Sequence, residues 1–344
     1  MLQQVNSTPL IAAEKHNRRA TDGQRPPVQT QVTSPLPLPT QIGKYRFMSV
    51  ISRGGFSIVY LAQDEKSGEA VAIKEYLPSL LARRAAGDLV PAIPKESEEL
   101  FRVGMKCFFD EARTLATIHH HNIVRVLDFF RANETVYMVM RYESGRSLEE
   151  HVRRGRSHGQ IDVMSEGFIR RVFGQVMTGL HEVHTQRVLH LDIKPANVYL
   201  KMNGAPVLLD FGAARQTLQR DLNHSYPMYT PGFAAPELYH DDAEIGPWTD
   251  MYSVGASIFA CMSGKPLQES AARRSDDKIP KELQAFRGLY SNELIRIAER
   301  CLALNSLERP QSALEVQGQL QRAPARQEAN FLENLRQRFL GRGK

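Results

Sequence analysis

The sequence predicts an α+β protein of two lobes, the first β-rich and the second mainly helical. Three observations predict it. The 344 residues are 42% hydrophobic and 24% charged, an ordinary balance with enough apolar side chain for two packed lobes. Between residues 45 and 141 the chain holds five short β-rich runs, and beyond 148 apolar residues recur at helical spacing. A chain whose period changes in this way places a cleft between two differently built halves.

The elements follow in order. Runs at 45–51, 57–62 and 69–75, with the turn formers Asp64 and Ser67-Gly68 between the last two, predict a three-stranded antiparallel meander. The charged stretch 96–118 repeats Phe101, Phe108, Glu111 and Leu115 near helical spacing and predicts a helix. Two further strands are expected at 124–130 and 135–141, with Ala132-Asn133 between them. Helices are expected at 166–184, 249–263, 292–302 and 311–320. No internal repeat is visible.

Residues 1–42 hold six of the 19 prolines and no Phe, Tyr or Trp, a composition that buries too little apolar surface to offset chain entropy. They are expected to form a flexible Pro-rich basic arm, a linker rather than an SH3-type ligand. Residues 323–344 are expected to be a basic amphipathic tail, because Phe331, Leu332, Leu335, Phe339 and Leu340 recur at helical spacing among Arg336, Arg338, Arg342 and Lys344. Packing on the lower lobe or on a partner is the expectation there, with membrane-surface contact as the alternative.

The net charge of +6 lies in these ends, +2 over residues 1–42 and +4 over residues 321–344, so the centre is neutral and has no bulk footprint for nucleic acid. Three separated cysteines exclude a disulfide framework, and no apolar run approaches the roughly 20 residues of a spanning helix. A reducing, cytoplasmic setting is expected.

The chemistry concentrates in four places. The turn Gly54-Gly55 sits inside Ile51-Ser52-Arg53-Gly54-Gly55-Phe56-Ser57-Ile58-Val59, where small residues let backbone N–H groups approach phosphate oxygens. Val71-Ala72-Ile73-Lys74 places one ammonium in an apolar strand, and Glu111 on the predicted helix can supply its acid partner. The segment His190-Leu191-Asp192-Ile193-Lys194-Pro195-Ala196-Asn197 gathers an acid, a base and an amide, and Leu208-Leu209-Asp210-Phe211-Gly212 closes a strand with a carboxylate. Phosphoryl transfer from a nucleotide needs such a set: a phosphate cover, a lysine, metal-binding oxygen ligands and a group that orients the acceptor hydroxyl.

In this order the motifs resemble the protein kinase superfamily, specifically the bacterial eukaryotic-like (Hanks-type) serine/threonine kinases. The likeness runs from about residue 51 to 309 and includes Ala235-Pro236-Glu237, Asp250 and Arg309. It implies a two-lobed kinase domain over 43–322, with the lobes meeting near 142, and a requirement for ATP and Mg²⁺. By the resemblance, Ile51, Ser52, Gly54, Gly55, Ser57, Val59, Ala72, Lys74 and Glu111 line the ATP site. Asp192 and Lys194 would be catalytic, and Asn197 and Asp210 would bind metal. Glu237, Asp250 and Arg309 would be structural, with Glu237 pairing Arg309. Protein substrates are implied; a PP2C-type phosphatase or type VI secretion components are implied as partners by likeness of 73–78, 211–215 and 246–252 to bacterial kinases.

The sequence departs from the family pattern in two ways. Ser52 and Ser57 replace glycines of the phosphate cover, and serine tolerates positive φ poorly, so weaker nucleotide affinity is expected. Leu191 replaces the arginine that holds a phosphorylated activation segment, so activity is expected to be independent of phosphorylation at Thr217 or Ser225. A pseudokinase and a small-molecule phosphotransferase are the competing readings, the first favoured by these departures and opposed by the complete catalytic set. His119-His120-His121 and His181-Glu182-Val183-His184 lack metal-site spacing, and Trp248 is expected to anchor the lower lobe.

Overall fold

The computed structural model describes residues 33–157, 164–212, 229–240 and 242–322. The arm upstream of 33, the segment around Thr217 and Ser225, and the tail from 323 lie outside the described residues.

The first part is a six-stranded antiparallel sheet made of β1 (Thr40–Ile42), β2 (Tyr45–Arg53), β3 (Ser57–Asp64), β4 (Ala70–Tyr76), β5 (Val126–Ala132) and β6 (Thr135–Arg141). The strand order is β1-β2-β3-β4-β6-β5, so the expected meander forms the middle of a wider sheet. Register assigns each side chain to a face, because directly opposed residues point the same way. Val59 opposes Lys74, and Lys74 opposes Met138, which puts them on one face with Ala72 and Met140. Helix α1 (Glu98–Thr117) covers that face, burying Phe101, Phe108, Glu111, Ala112 and Leu115 at the spacing of one helical stripe. Its Phe109 meets Phe129 of β5 edge-on at 4.8 Å, and its Phe101 and Phe108 meet Tyr76 of β4 at 5.0 and 5.7 Å.

The opposite face is lined by aromatics in contact: Tyr45 on Phe130, Phe130 on Tyr137, Tyr137 on Phe47, and Phe47 on Tyr60. This face is buried as well. Residues 33–38, expected as the end of a flexible arm, lie on it, with Leu36 only 1% exposed and its N–H donating to Tyr60 Oη at 3.0 Å. The folded unit therefore includes residues 33–42, expected as part of the arm, and residues 40–42 form the sheet's edge strand. A composition-based expectation missed this because the apolar surface that buries Leu36 belongs to strands far along the chain. The segment 77–94 covers the same face, burying Leu77, Leu81, Ala82 and Arg84.

The second part begins with β7 (Gly145–Ser147) and α2 (Leu148–Ser157), neither of them expected, followed by α3 (Glu166–Thr185). A small antiparallel sheet adds β8 (Val198–Lys201) and β9 (Pro206–Leu208) to β7. Helices α4 (Pro247–Ser263), α5 (Ser270–Arg273), α6 (Ile279–Gln284), α7 (Asn292–Cys301) and α8 (Ala313–Gln321) complete it. Serine caps start three of them: Ser165, Ser291 and Ser312 accept from the N–H groups of Phe168, Leu294 and Glu315. Helix α4 is buried nearly all round, consistent with its almost wholly apolar sequence, and Gly255 admits Cys301 so closely that a Cβ would stand 2.6 Å from it. Arg170 of α3 ties the bundle together. Its Nε donates to Glu166, its Nη2 to Ser291 Oγ, and its Nη1 to the carbonyls of Gln319, Leu320 and Arg322 at the end of α8.

The expected Glu237–Arg309 pair is present and bidentate, at 2.7 and 2.9 Å. The remaining donors of Arg309 go to the carbonyls of Ala303, Trp248 and Leu304, so all five of its N–H groups are used. Trp248, the expected anchor, packs its ring against Gly246. Because a buried charge left alone costs more than its pair contributes, Arg309→Ala should lower unfolding free energy by about 3–5 kcal/mol. Urea melts check this, and a loss below about 1 kcal/mol, the value of an exposed pair, would refute it.

Candidate active site

The cleft-facing surface of the sheet and the loops of the second part bring the expected residues together. Lys74 is 5% exposed, and its Nζ lies 3.2 Å from Asp210 Oδ1. The acid on this ammonium is thus Asp210. Among the described residues no ion pair joins Lys74 to Glu111, the partner the sequence suggested; Glu111 is buried on α1. Phe108, one turn before Glu111 on the same buried stripe, lies under the ammonium at 5.4 Å.

The loop 190–197 is closed by its own side chains. Lys194 Nζ lies 3.1 and 3.0 Å from the two Asp192 oxygens and donates to Thr230 Oγ1 at 2.6 Å. Thr230 in turn donates to Asp192 Oδ1 at 3.2 Å. Asn197 Nδ2 donates to the Asp192 carbonyl at 2.8 Å and to Oδ2 at 2.7 Å. The Asp210 strand end meets this loop through Gly212, whose N–H donates to the His190 carbonyl, and where a Cβ would stand 3.3 Å from Asp192 Cβ. Phe211 is 2% exposed, its ring 4.3 Å from the His190 imidazole.

Asp250 of α4 holds the loop's backbone. Its two oxygens accept from His190 N at 2.9 Å and Leu191 N at 2.8 Å, and His184 Nε2 is 2.8 Å away. Leu191 has φ +61°, a left-handed conformation that costs a non-glycine residue roughly 1–2 kcal/mol, and the Asp250 bond to its N–H helps to hold it. Asp210 is left-handed too, at φ +54°. Burial alone would raise the Asp250 pKa; the hydrogen bond and attraction of His184, then the interactions with His190, outweigh it and hold the carboxyl below its ordinary value.

The phosphate cover differs from expectation. Ser52 pairs with Val59 and Ser57 with Tyr76, and neither has positive φ, so both serines sit in strand geometry where their side chains cost nothing. The conformational ground for weakened affinity is therefore absent. Ile51 lies at a register shift of β2 and is 47% exposed, while Val59 and Ala72 line the same face as Lys74. The turn is tied down by Ser79, whose N–H and hydroxyl both donate to the Gly55 carbonyl. Sequence reasoning missed Ser79, Phe108, Met138 and Met140. Strand alternation from Lys74 across β6 would have found the two methionines.

A β-sheet lobe carrying the lysine, set against a helical lobe carrying the loop acid and the strand-end carboxylate, is the protein kinase fold. The chain belongs to the protein kinase family, whose domain profile, described as "Protein kinase domain", matches residues 45–319. It is similar to the solved structure titled "PpkA-294 apo form", with 33% identity and a TM-score of 0.74, over 83% of this chain and 99% of that one. It is 28% identical over 224 residues to cyclin-dependent kinase-like 4 of Mus musculus, 65% of this chain and 58% of the relative. It is 30% identical over 274 residues to serine/threonine-protein kinase STE20 of Candida glabrata, 77% of this chain and 26% of the relative. The chain thus spans less than two thirds of the length of these curated relatives.

Because the folded-state pKa of Asp250 is depressed, its contribution to stability is present above the unfolded value and is lost as pH falls below about 4. Asp250→Asn should be less stable than wild type at pH 7, and the gap should narrow on acidification. Urea melts from pH 7 to 3 measure it; a constant gap would contradict the assignment.

Proposed function

We propose that this protein is an ATP-dependent serine/threonine protein kinase that transfers the γ-phosphoryl group to hydroxyls of protein substrates. The observation that carries the reading is the convergence of Lys74 and Asp210 at 3.2 Å beside a loop in which Asp192, Lys194, Asn197 and Thr230 bond one another. The donor set suits ATP with Mg²⁺: an ammonium for phosphate oxygens, and hard carboxylate and amide oxygens for the metal. Asp210 and the Asn197 side-chain oxygen would hold Mg²⁺, which when bound neutralises phosphate charge. Lys74 would bind and orient the phosphates, under the Ile51–Val59 turn. Asp192 would accept the hydrogen of the acceptor hydroxyl as that oxygen bonds to the γ-phosphorus and the bond to ADP breaks. Lys194 would offset charge on the migrating group. Thr230, hydrogen-bonded to both, would keep their relative positions.

By sequence likeness the proposal extends to a bacterial cytoplasmic signalling role, with a PP2C-type phosphatase or type VI secretion components as partners. No helix among the described residues is long and apolar enough to cross a membrane.

One observation favours a second reading, a nucleotide-binding pseudokinase: Lys74 is paired with Asp210 and not with Glu111, so the carboxylate proposed for the metal is engaged with the ammonium. Radiolabelled ATP distinguishes the two. Wild type should label a protein acceptor, and Asp192→Ala should lower kcat by about 10²–10⁴; equal labelling by both would remove Asp192 from the chemistry.

Leu191 is buried and lines a small cleft with Asp192, Tyr229, Thr230 and Phe233, and its side chain offers no cation to receive phosphate. Phosphatase-treated enzyme is therefore expected to keep its activity. Loss of activity restored by autophosphorylation would overturn this.

A further inference from the structure

Neighbouring residues on a strand face opposite sides of the sheet, so Lys74 and Glu75 share a stretch of β4 but not an environment. Lys74 meets Phe108 and Asp210. Glu75 lies on the aromatic face behind, and it forms with Arg84 an ion pair in which both side chains are 0% exposed.

The hydrogen bonding of this pair is complete. Arg84 Nη1 donates to Glu75 Oε1 and the Leu89 carbonyl, Nη2 to Glu75 Oε2 and Tyr60 Oη, and Nε to the Ser34 carbonyl, so all five donors of the guanidinium are used. Glu75 accepts two further bonds, from Tyr60 at 2.8 Å and Tyr137 at 2.8 Å. Tyr137 is the residue directly opposite Glu75 on β6, and Tyr60 lies on the same face of β3. The residues ahead of the sheet close the circuit. Ser34 N donates to the Arg84 carbonyl, Thr33 Oγ1 to the Ala82 carbonyl, and Leu36 N to Tyr60 Oη.

Well-packed apolar residues would cover this face without the desolvation cost of two buried charges, so cover alone does not account for the pair. A bidentate carboxylate–guanidinium contact adds direction: it fixes how β4 is rotated and how far it slides relative to β3 and β6. Lys74 is directly adjacent to Glu75 on β4, so its placement depends on that rotation and slide.

We propose that Glu75 is a positioning residue for Lys74, held by Arg84 and by the strap 33–36, so that seating of the strap behind the sheet sets how tightly the cleft in front binds nucleotide. The proposal rests on the reading of Lys74 as a nucleotide-binding residue.

The test uses the full chain and measures calorimetric Kd for MgADP beside Tm. Tyr60→Phe deletes one hydroxyl from the network and keeps the ring. The double variant Glu75→Leu/Arg84→Met replaces the pair by apolar side chains of similar length. Arg273→Met, which removes contacts to Asp277 and Tyr252 in the helical lobe, is a destabilised control. Loss of a hydrogen bond to a charged group sets the expected size, a weakening of MgADP binding by about tenfold for the double variant and by at least about threefold for Tyr60→Phe. Arg273→Met should lose Tm and keep the wild-type Kd. A folded double variant with wild-type Kd would overturn the proposal, as would Arg273→Met weakening binding in step with its Tm. Should the double variant not fold, Tyr60→Phe decides by the same criterion. Failure of wild type itself to bind MgADP would instead reject the nucleotide reading and the proposal with it.

Discussion

The loop that carries Asp192 depends on a carboxylate that never meets solvent. Asp250 is fully buried, yet its oxygens satisfy the His190 and Leu191 backbone N–H groups and His184. A main-chain turn with a leucine at positive φ is unfavourable alone and becomes single-valued when an acceptor is fixed opposite its donors. From that turn follow the direction of Asp192, the reach of Lys194 and Asn197 toward it, and the seat of Gly212. A largely apolar helix thus contributes a buried charge on which the backbone of the polar site is ordered.

The two lobes solve a common problem, the burial of an arginine, by the same means. Arg84 in the sheet lobe and Arg309 in the helical lobe each spend five donors on one carboxylate and on nearby oxygen atoms. Both join segments distant in sequence, 50 residues apart for Arg84 and Ser34 and 72 for Arg309 and Glu237. Lysine has a single point charge and three donors and would not reproduce either junction.

Much of the site was legible in the sequence because its chemistry is local. Asp192, Lys194 and Asn197 lie within one loop, so spacing gathers them, and the resemblance to the kinase family joins Asp210 at its strand end to that loop. The apolar run 71–74 placed Lys74 within a strand, and helical spacing placed Glu111 on the buried stripe of α1. What spacing does not carry is which acid meets the ammonium: Lys74 pairs with Asp210, and Phe108 lies 5.4 Å from it. Nor does composition show that Leu36, in a proline-rich stretch, meets Tyr60, or that Arg84 meets Glu75, since both partners lie on strands that need the whole sheet to form. The serines of the phosphate cover were judged by the conformation glycine permits, but strand pairing extends to both and makes that freedom unnecessary.

Arg170 ties the last described helix to the body of the helical lobe. One guanidinium collects three carbonyls from the last turn of α8 while it also bonds Glu166 and Ser291, at the starts of α3 and α7. Three helices meet at a knot tied with residues as late as Arg322. Cutting the chain inside the knot would expose an unsatisfied cation at the base of the bundle, because the carbonyls that face its Nη1 all come from residues 319–322.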